Sequence, residues 1–126
     1  MIDAGLRAEL RKLIAAFVEN MGAMTAEMEA ALDAGRRGEG DAAAAWDLLR
    51  TQTHRISGSG ASFGFTDIAA VARRIDLHAA GTLSGGDAAA VAAPPWEDAL
   101  VTGDLDALRR LVDRAAPTDS PLYPGD

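Results

Sequence analysis

From Leu6 to Leu32 the apolar side chains recur in steps of three and four: Leu6, Leu10, Leu13, Ile14, Phe17, Val18, Met21, Met24, Met28, Ala31 and Leu32. That spacing follows the 3.6-residue period of an α-helix and not the two-residue period of a strand, so the segment reads as one long amphipathic helix. Such a helix cannot bury its apolar stripe alone and requires other elements against it. The methionines fall at core spacing and read as core filler, in preference to a plastic binding surface. Gly35 is expected to end this helix, and Gly35-Arg36-Arg37-Gly38-Glu39-Gly40 to form a loop.

Asp41 is a favourable N-cap for a second helix, from Ala42 to about Ser62. On a wheel of about 100° per residue, Ala42, Ala45, Trp46, Leu49, Thr53, Ile56, Gly60 and Phe63 form one stripe, which should face the core. Asp47, Arg50, Thr51, His54, Gly58 and Ala61 lie around the opposite side. After Gly64, Thr66 is expected to cap a third helix with Asp67 in its first turn and Ile68, Val71, Ala72, Ile75 and Ala79 as its inner stripe. The short link makes the second and third helices an antiparallel hairpin. Ser84-Gly85-Gly86-Asp87 reads as a turn and Ala88 to Ala93 as a possible short helical turn. Pro94-Pro95 breaks the pattern and can start the next helix. There Trp96, Ala99, Leu100, Leu108, Leu111, Val112 and Ala115 continue a helical spacing, with Gly103 a potential kink and Pro117 the end. The expected architecture is all-α, an antiparallel up-and-down four-helix bundle over residues 1–117, followed by a disordered tail over 118–126.

Composition narrows the function classes. The chain has 126 residues, which suits one domain, and its 48% hydrophobic content includes only 5% aromatics, which fits packed helices better than a sheet. A net charge of -7 argues against nucleic acid as a partner, because neutralising phosphates needs a basic face. Cysteine is absent, which removes disulfides, thiolate metal sites and a cysteine nucleophile. No apolar run approaches the roughly 20 residues of a membrane span, and the N-terminus lacks the basic and apolar regions of a signal peptide. A cytoplasmic protein is expected. The initial methionine and the proline-containing end favour a whole protein over a fragment of a larger kinase.

The run Thr53-His54-Arg55-Ile56-Ser57-Gly58-Ser59-Gly60 carries the chemistry. A glycine in a helix costs about 1 kcal/mol relative to alanine, so two glycines this close to a histidine need reasons. Gly60 falls on the core stripe, where it would let a neighbouring helix approach. Gly58 falls on the outer face, one turn after His54, where packing does not explain it and where a side chain would crowd anything approaching the ring. His54 lies about 140° from the stripe centred on Leu49, which disfavours a buried histidine. A metal site is poor, since the only other histidine, His78, is on another helix and neither has a Glu-x-x-His arrangement. A serine-hydrolase elbow and a phosphate-cradling loop both require a preceding strand. What remains is the imidazole as a nucleophile, or a solvated surface histidine with no role. Near neutral pH a good fraction of an exposed imidazole is unprotonated and can attack phosphorus.

His54-Arg55-Ile56-Ser57-Gly58 followed by Phe63-Gly64-Phe65 resembles the signature of histidine-containing phosphotransfer (HPt) domains, over a stretch from about Leu49 to Ile75. The resemblance implies a four-helix bundle that carries a phosphoryl group on an exposed histidine and exchanges it with an aspartate of a response-regulator receiver domain. His54 would be the phosphoacceptor, Ile56 the apolar residue two positions on, and Gly58 the glycine that leaves room for the receiver. Phe63 and Gly64 would close the helix. The family commonly has lysine three residues after the histidine, where this chain has Ser57. Arg50, on the same flank as His54, could supply the charge instead, so Arg50 and Ser57 form the expected phosphoryl environment. Thr51, Gly58 and Ala61 form the expected docking face. Arg55 points about 100° away, and His78 has no comparable context.

The implied partners are a receiver domain and a hybrid or chemotaxis-type histidine kinase, with the protein itself a monomer away from membranes. The chain has no nucleotide-binding region and so no autonomous kinase activity. No cofactor is expected on the chain; Mg²⁺ is expected on the receiver. The alternative is a non-phosphorylated bundle that binds a receiver or kinase and regulates it by occupancy.

Overall fold

The computed structural model describes residues 3–85 and 93–125. They form α1 (Ala4–Arg36), α2 (Ala42–Ser62), α3 (Thr66–Leu83) and α4 (Ala99–Arg114), with short 3₁₀ turns at Pro95–Glu97 and Pro117–Asp119. The expected turn at 84–87 and helical turn at 88–93 fall largely on residues 86–92, outside the described residues.

Each helix contacts the next in sequence, and α4 closes back on α1. Paired contacts fix the directions. Gln52 Nε2 donates to Glu27 Oε2, while Phe17, nearer the start of α1, meets Phe63 at the end of α2. His54 pairs with Asp76 where Gly60 lies against Ala69. Arg74 pairs with Asp104, and His78 with Asp98. Arg109 donates two hydrogen bonds to Glu29 Oε1, and the Trp96 ring lies over Gly35. In every pair, residue numbers rise on one helix as they fall on the other. The result is the antiparallel up-and-down four-helix bundle, with no strand among the described residues.

The core forms where the four stripes meet. Ile14, Met21, Met28, Leu32, Trp46, Leu49, Ile56, Ile75 and Leu108 are essentially removed from solvent. The α2 stripe lies as its periodicity requires, with Gln52 buried beside it. No helix among the described residues is long and apolar enough to cross a membrane.

Several local expectations are corrected. Leu6 and Leu13 are 59% exposed. Phe17 lies near Phe63 and Phe65 at the α2–α3 turn, so Leu6, three turns earlier, lies beyond the hairpin, whereas Leu13 lies on the outer flank of α1 beside the fully buried Ile14. Gly35 does not end α1, which continues to Arg36; the left-handed turn is made by Gly38 at φ 78°. Gly35 is instead buried beneath the Trp96 indole, in space that any Cβ would fill. Thr66 does not cap α3: Phe65 holds the N-cap position and offers no side-chain bond. In α4 the buried stripe is Val101, Leu105, Leu108 and Val112, and Leu100 is 70% exposed. Asp98 starts that helix by accepting from the Leu100 and Val101 N–H groups, so Trp96 belongs to the preceding turn and does not set the register. Gly103 lies within the continuous helix.

The tail expected to be disordered from residue 118 instead folds back on the bundle as far as Gly125. Ser120 is buried and its hydroxyl donates to the Phe63 carbonyl, one of the unsatisfied acceptors at the end of α2. Pro121 occupies the space beside Gly64, which sits at φ 83° where a Cβ would be both strained and obstructed. Arg11 donates to the Pro124 and Gly125 carbonyls. The prolines that suggest disorder in the sequence thus shape a segment held by specific contacts.

Candidate functional site

His54 projects from α2, with its side chain 77% exposed. Leu49, Thr53 and Ile56 bury the opposite face of the helix, so the backbone beneath the ring is anchored. Thr53 also donates to the Leu49 carbonyl and spends its hydroxyl inside the core. One ring nitrogen is held from across the groove: His54 Nδ1 is 3.0 Å from Asp76 Oδ2 on α3. The Asp76 side chain is only 14% exposed, so its carboxylate is fixed by its surroundings. An ionised carboxylate only accepts, so Nδ1 carries the hydrogen, and in the neutral ring Nε2 is the nitrogen with the lone pair. The exposed nitrogen is therefore the nucleophilic one.

The surface beside the ring is a groove between α2 and α3. Ser57, Gly58 and Ala61 line it from α2; Thr66, Ala69, Ala70, Arg73 and Asp76 line it from α3. Its floor is made of small side chains, so a docking surface can come down to the imidazole. A Cβ on Gly58 would meet nothing within 4 Å. Gly60 is the other case: it is buried, and a Cβ there would sit 3.5 Å from that of Ala69. The two glycines divide as the wheel separates them, one toward the neighbouring helix and one toward open space.

Of the residues singled out in sequence, His54, Ser57, Gly58 and Ala61 come together at this groove. Ser57 donates to the His54 carbonyl at 3.1 Å, so its hydroxyl hydrogen is engaged by its own helix. Arg50 and Thr51 are exposed on α2 but lie outside the groove lining. Sequence reasoning missed Asp76 and Arg73. Their signal is the hairpin register: the Gly60–Ala69 crossing, followed about two turns away along each helix, places His54 opposite residues near 76.

His78 differs from His54. Its Nε2 lies 2.9 Å from Asp98 Oδ2, and its ring lies 5.6 Å from that of Trp46. Burial pushes the Asp98 carboxyl up, but the Val101 N–H, the His78 ring and the Leu100 N–H outweigh it and hold that carboxyl below its usual range. His78 thus links the end of α3 to the start of α4, with Nε2 already engaged. Among the described residues no group of three or more His, Asp or Glu side chains is placed to hold a metal ion.

The Hpt domain family model matches residues 12–116, which include all four helices in part or whole. Neither a curated protein nor a solved structure matches the chain.

Proposed function

The chain belongs to the Hpt domain family, and on that premise we propose that His54 is the phosphoacceptor through which it exchanges phosphoryl groups with receiver domains. Histidine phosphotransfer in two-component signalling is the chemistry of the family. The observation that carries the assignment is the state of one ring: Nδ1 held by Asp76, Nε2 exposed beside an open groove.

The lone pair of Nε2 attacks the phosphorus of a receiver aspartyl phosphate. The bond from phosphorus to the carboxyl oxygen breaks, and the receiver carboxylate leaves with that electron pair. The ring gains positive charge as the N–P bond forms, and the Nδ1–H bond to the Asp76 carboxylate strengthens in step. No proton needs to leave the site, and the reverse reaction follows the same path. Asp76 acts as a positioning residue, since it touches the imidazole and not the phosphoryl group. The rigid helix supplies orientation. Mg²⁺ in this scheme is carried by the receiver, and Gly58 and Ala61 make room for its surface. A kinase upstream supplies the phosphoryl group, since the chain contributes only the carrier histidine.

The test is transfer from a panel of ³²P-labelled receiver domains to wild type, His54→Gln and His78→Ala. Wild type and His78→Ala should acquire an acid-labile, base-stable label, and His54→Gln none. Label that survives His54→Gln would overturn the assignment. A receiver that binds wild type tightly, while neither it nor phosphoramidate labels the chain, would favour regulation by occupancy.

A further inference from the structure

The groove holds three charged or titratable side chains: His54, Asp76 and Arg73. They are unequally committed. Asp76 accepts from His54, whereas Arg73 has neither ion-pair nor hydrogen-bond partner among the described residues. The next residue, Arg74, is bound to Asp104 by two hydrogen bonds and faces α4. Arg73 is one turn before Asp76 on α3, so its side chain shares the flank that faces His54. Arg50, the α2 cation expected to serve this site, is not part of the groove.

A phosphoryl group on Nε2 brings close to two negative charges to a site where the Asp76 carboxylate already stands. The positively charged ring between them offsets one of these charges, and a cation beside the phosphoryl group would offset the second. Ser57, at the position where the family commonly has lysine, offers no charge, and its hydroxyl bonds to the His54 carbonyl. The groove itself contains one side chain suited to the task. We propose that Arg73 of α3 is the cation that neutralises the phosphoryl group carried by His54, replacing from the facing helix the charge absent at Ser57. This rests on His54 being the phosphoacceptor. A guanidinium can donate two parallel hydrogen bonds to phosphoryl oxygens, which a solvated Arg73 is free to do.

The test needs no protein partner. Wild type, Arg73→Ala, Arg73→Lys, Arg50→Ala and Arg55→Ala are phosphorylated with potassium phosphoramidate, and the second ionisation of the phosphoryl group is followed by ³¹P NMR as a function of pH. Removing a nearby cation makes the dianion less favourable and raises that pKa. Arg73→Ala should raise it by about half a pH unit, the size suited to an exposed charge pair. Arg73→Lys should recover at least half of the shift, and Arg55→Ala should leave the value at that of wild type. Equal values in wild type and Arg73→Ala, or a shift on Arg50→Ala alone, overturn the proposal while leaving His54 as the acceptor. Wild type that takes no label on His54 under these conditions, or from any receiver, instead overturns the reading on which it rests.

Discussion

Gly58 sits within α2, four residues from its last, and the space where its Cβ would stand is open to 4 Å. Gly58→Ala removes the entropic penalty of glycine in a helix without meeting any neighbour, so it should stabilise the fold by about 1 kcal/mol. For a bundle of this size that is about 3 to 5 °C in Tm. Gly58→Gln keeps about half of the gain, since glutamine is also a better helix former than glycine. Its longer side chain stands in the groove one turn from His54 and obstructs an approaching receiver. Phosphotransfer should then slow at least tenfold, about 1.4 kcal/mol in barrier. Calorimetry gives the stability, and single-turnover transfer from a phosphorylated receiver gives the rate. Labelling by phosphoramidate separates the effects, because a small donor reaches His54 past the glutamine and should label both variants like wild type. A fall in Tm for Gly58→Ala would refute the placement of this glycine on an open face. Unchanged transfer for Gly58→Gln would refute its role in docking.

Gly35→Ala should act in the opposite sense, because its Cβ overlaps the Trp96 indole; overpacking there should cost about 1 to 3 kcal/mol, read by denaturant melts. Asp76→Ala should slow phosphotransfer about fivefold and move the neutral His54 ring from the Nδ1–H toward the Nε2–H tautomer; a wild-type ring already in the Nε2–H form by ¹⁵N NMR would contradict the orienting role. Asp98→Ala should cost about 1 kcal/mol through loss of the α4 cap. The Asp98 carboxyl is held below its usual range in the fold, so its contribution is present above the unfolded pKa and lost as pH falls through the lower folded value. The stability difference between wild type and Asp98→Ala should therefore narrow on acidification below about pH 4. Ser120→Ala should cost about 1 kcal/mol and speed amide exchange in the C-terminal segment, since it breaks the bond to Phe63.

Much of the bundle was legible from local rules. The α2 stripe of Trp46, Leu49, Thr53, Ile56 and Gly60 is buried as the wheel places it, and Asp41 caps that helix through the Ala44 N–H. Local rules failed where burial depends on what lies opposite. Leu6 keeps the spacing of α1 but extends past the α2–α3 turn, Leu13 falls on the outer flank beside the buried Ile14, and Leu100 keeps a spacing counted from Trp96, which belongs to another element. The tail carries prolines and no apolar period, and its order comes from Ser120, Pro121 and Arg11 meeting distant backbone and ring atoms.

The candidate site divides in the same way. The side of α2 that shows His54, Gly58 and Ala61 follows from helical periodicity, because an angle about one helix axis depends only on positions along that helix. The partner of His54 does not follow from any such angle. Asp76 reaches the ring, and Arg73 the groove beside it, by the depth and register at which α3 crosses α2, and those are set by side chains such as Gly60 and Ala69 where the two helices meet. The sequence by itself therefore determined which face presents the imidazole. Only tertiary packing decided which ring nitrogen is held and which charged side chain stands beside it, because these depend on distances between helices and not along one.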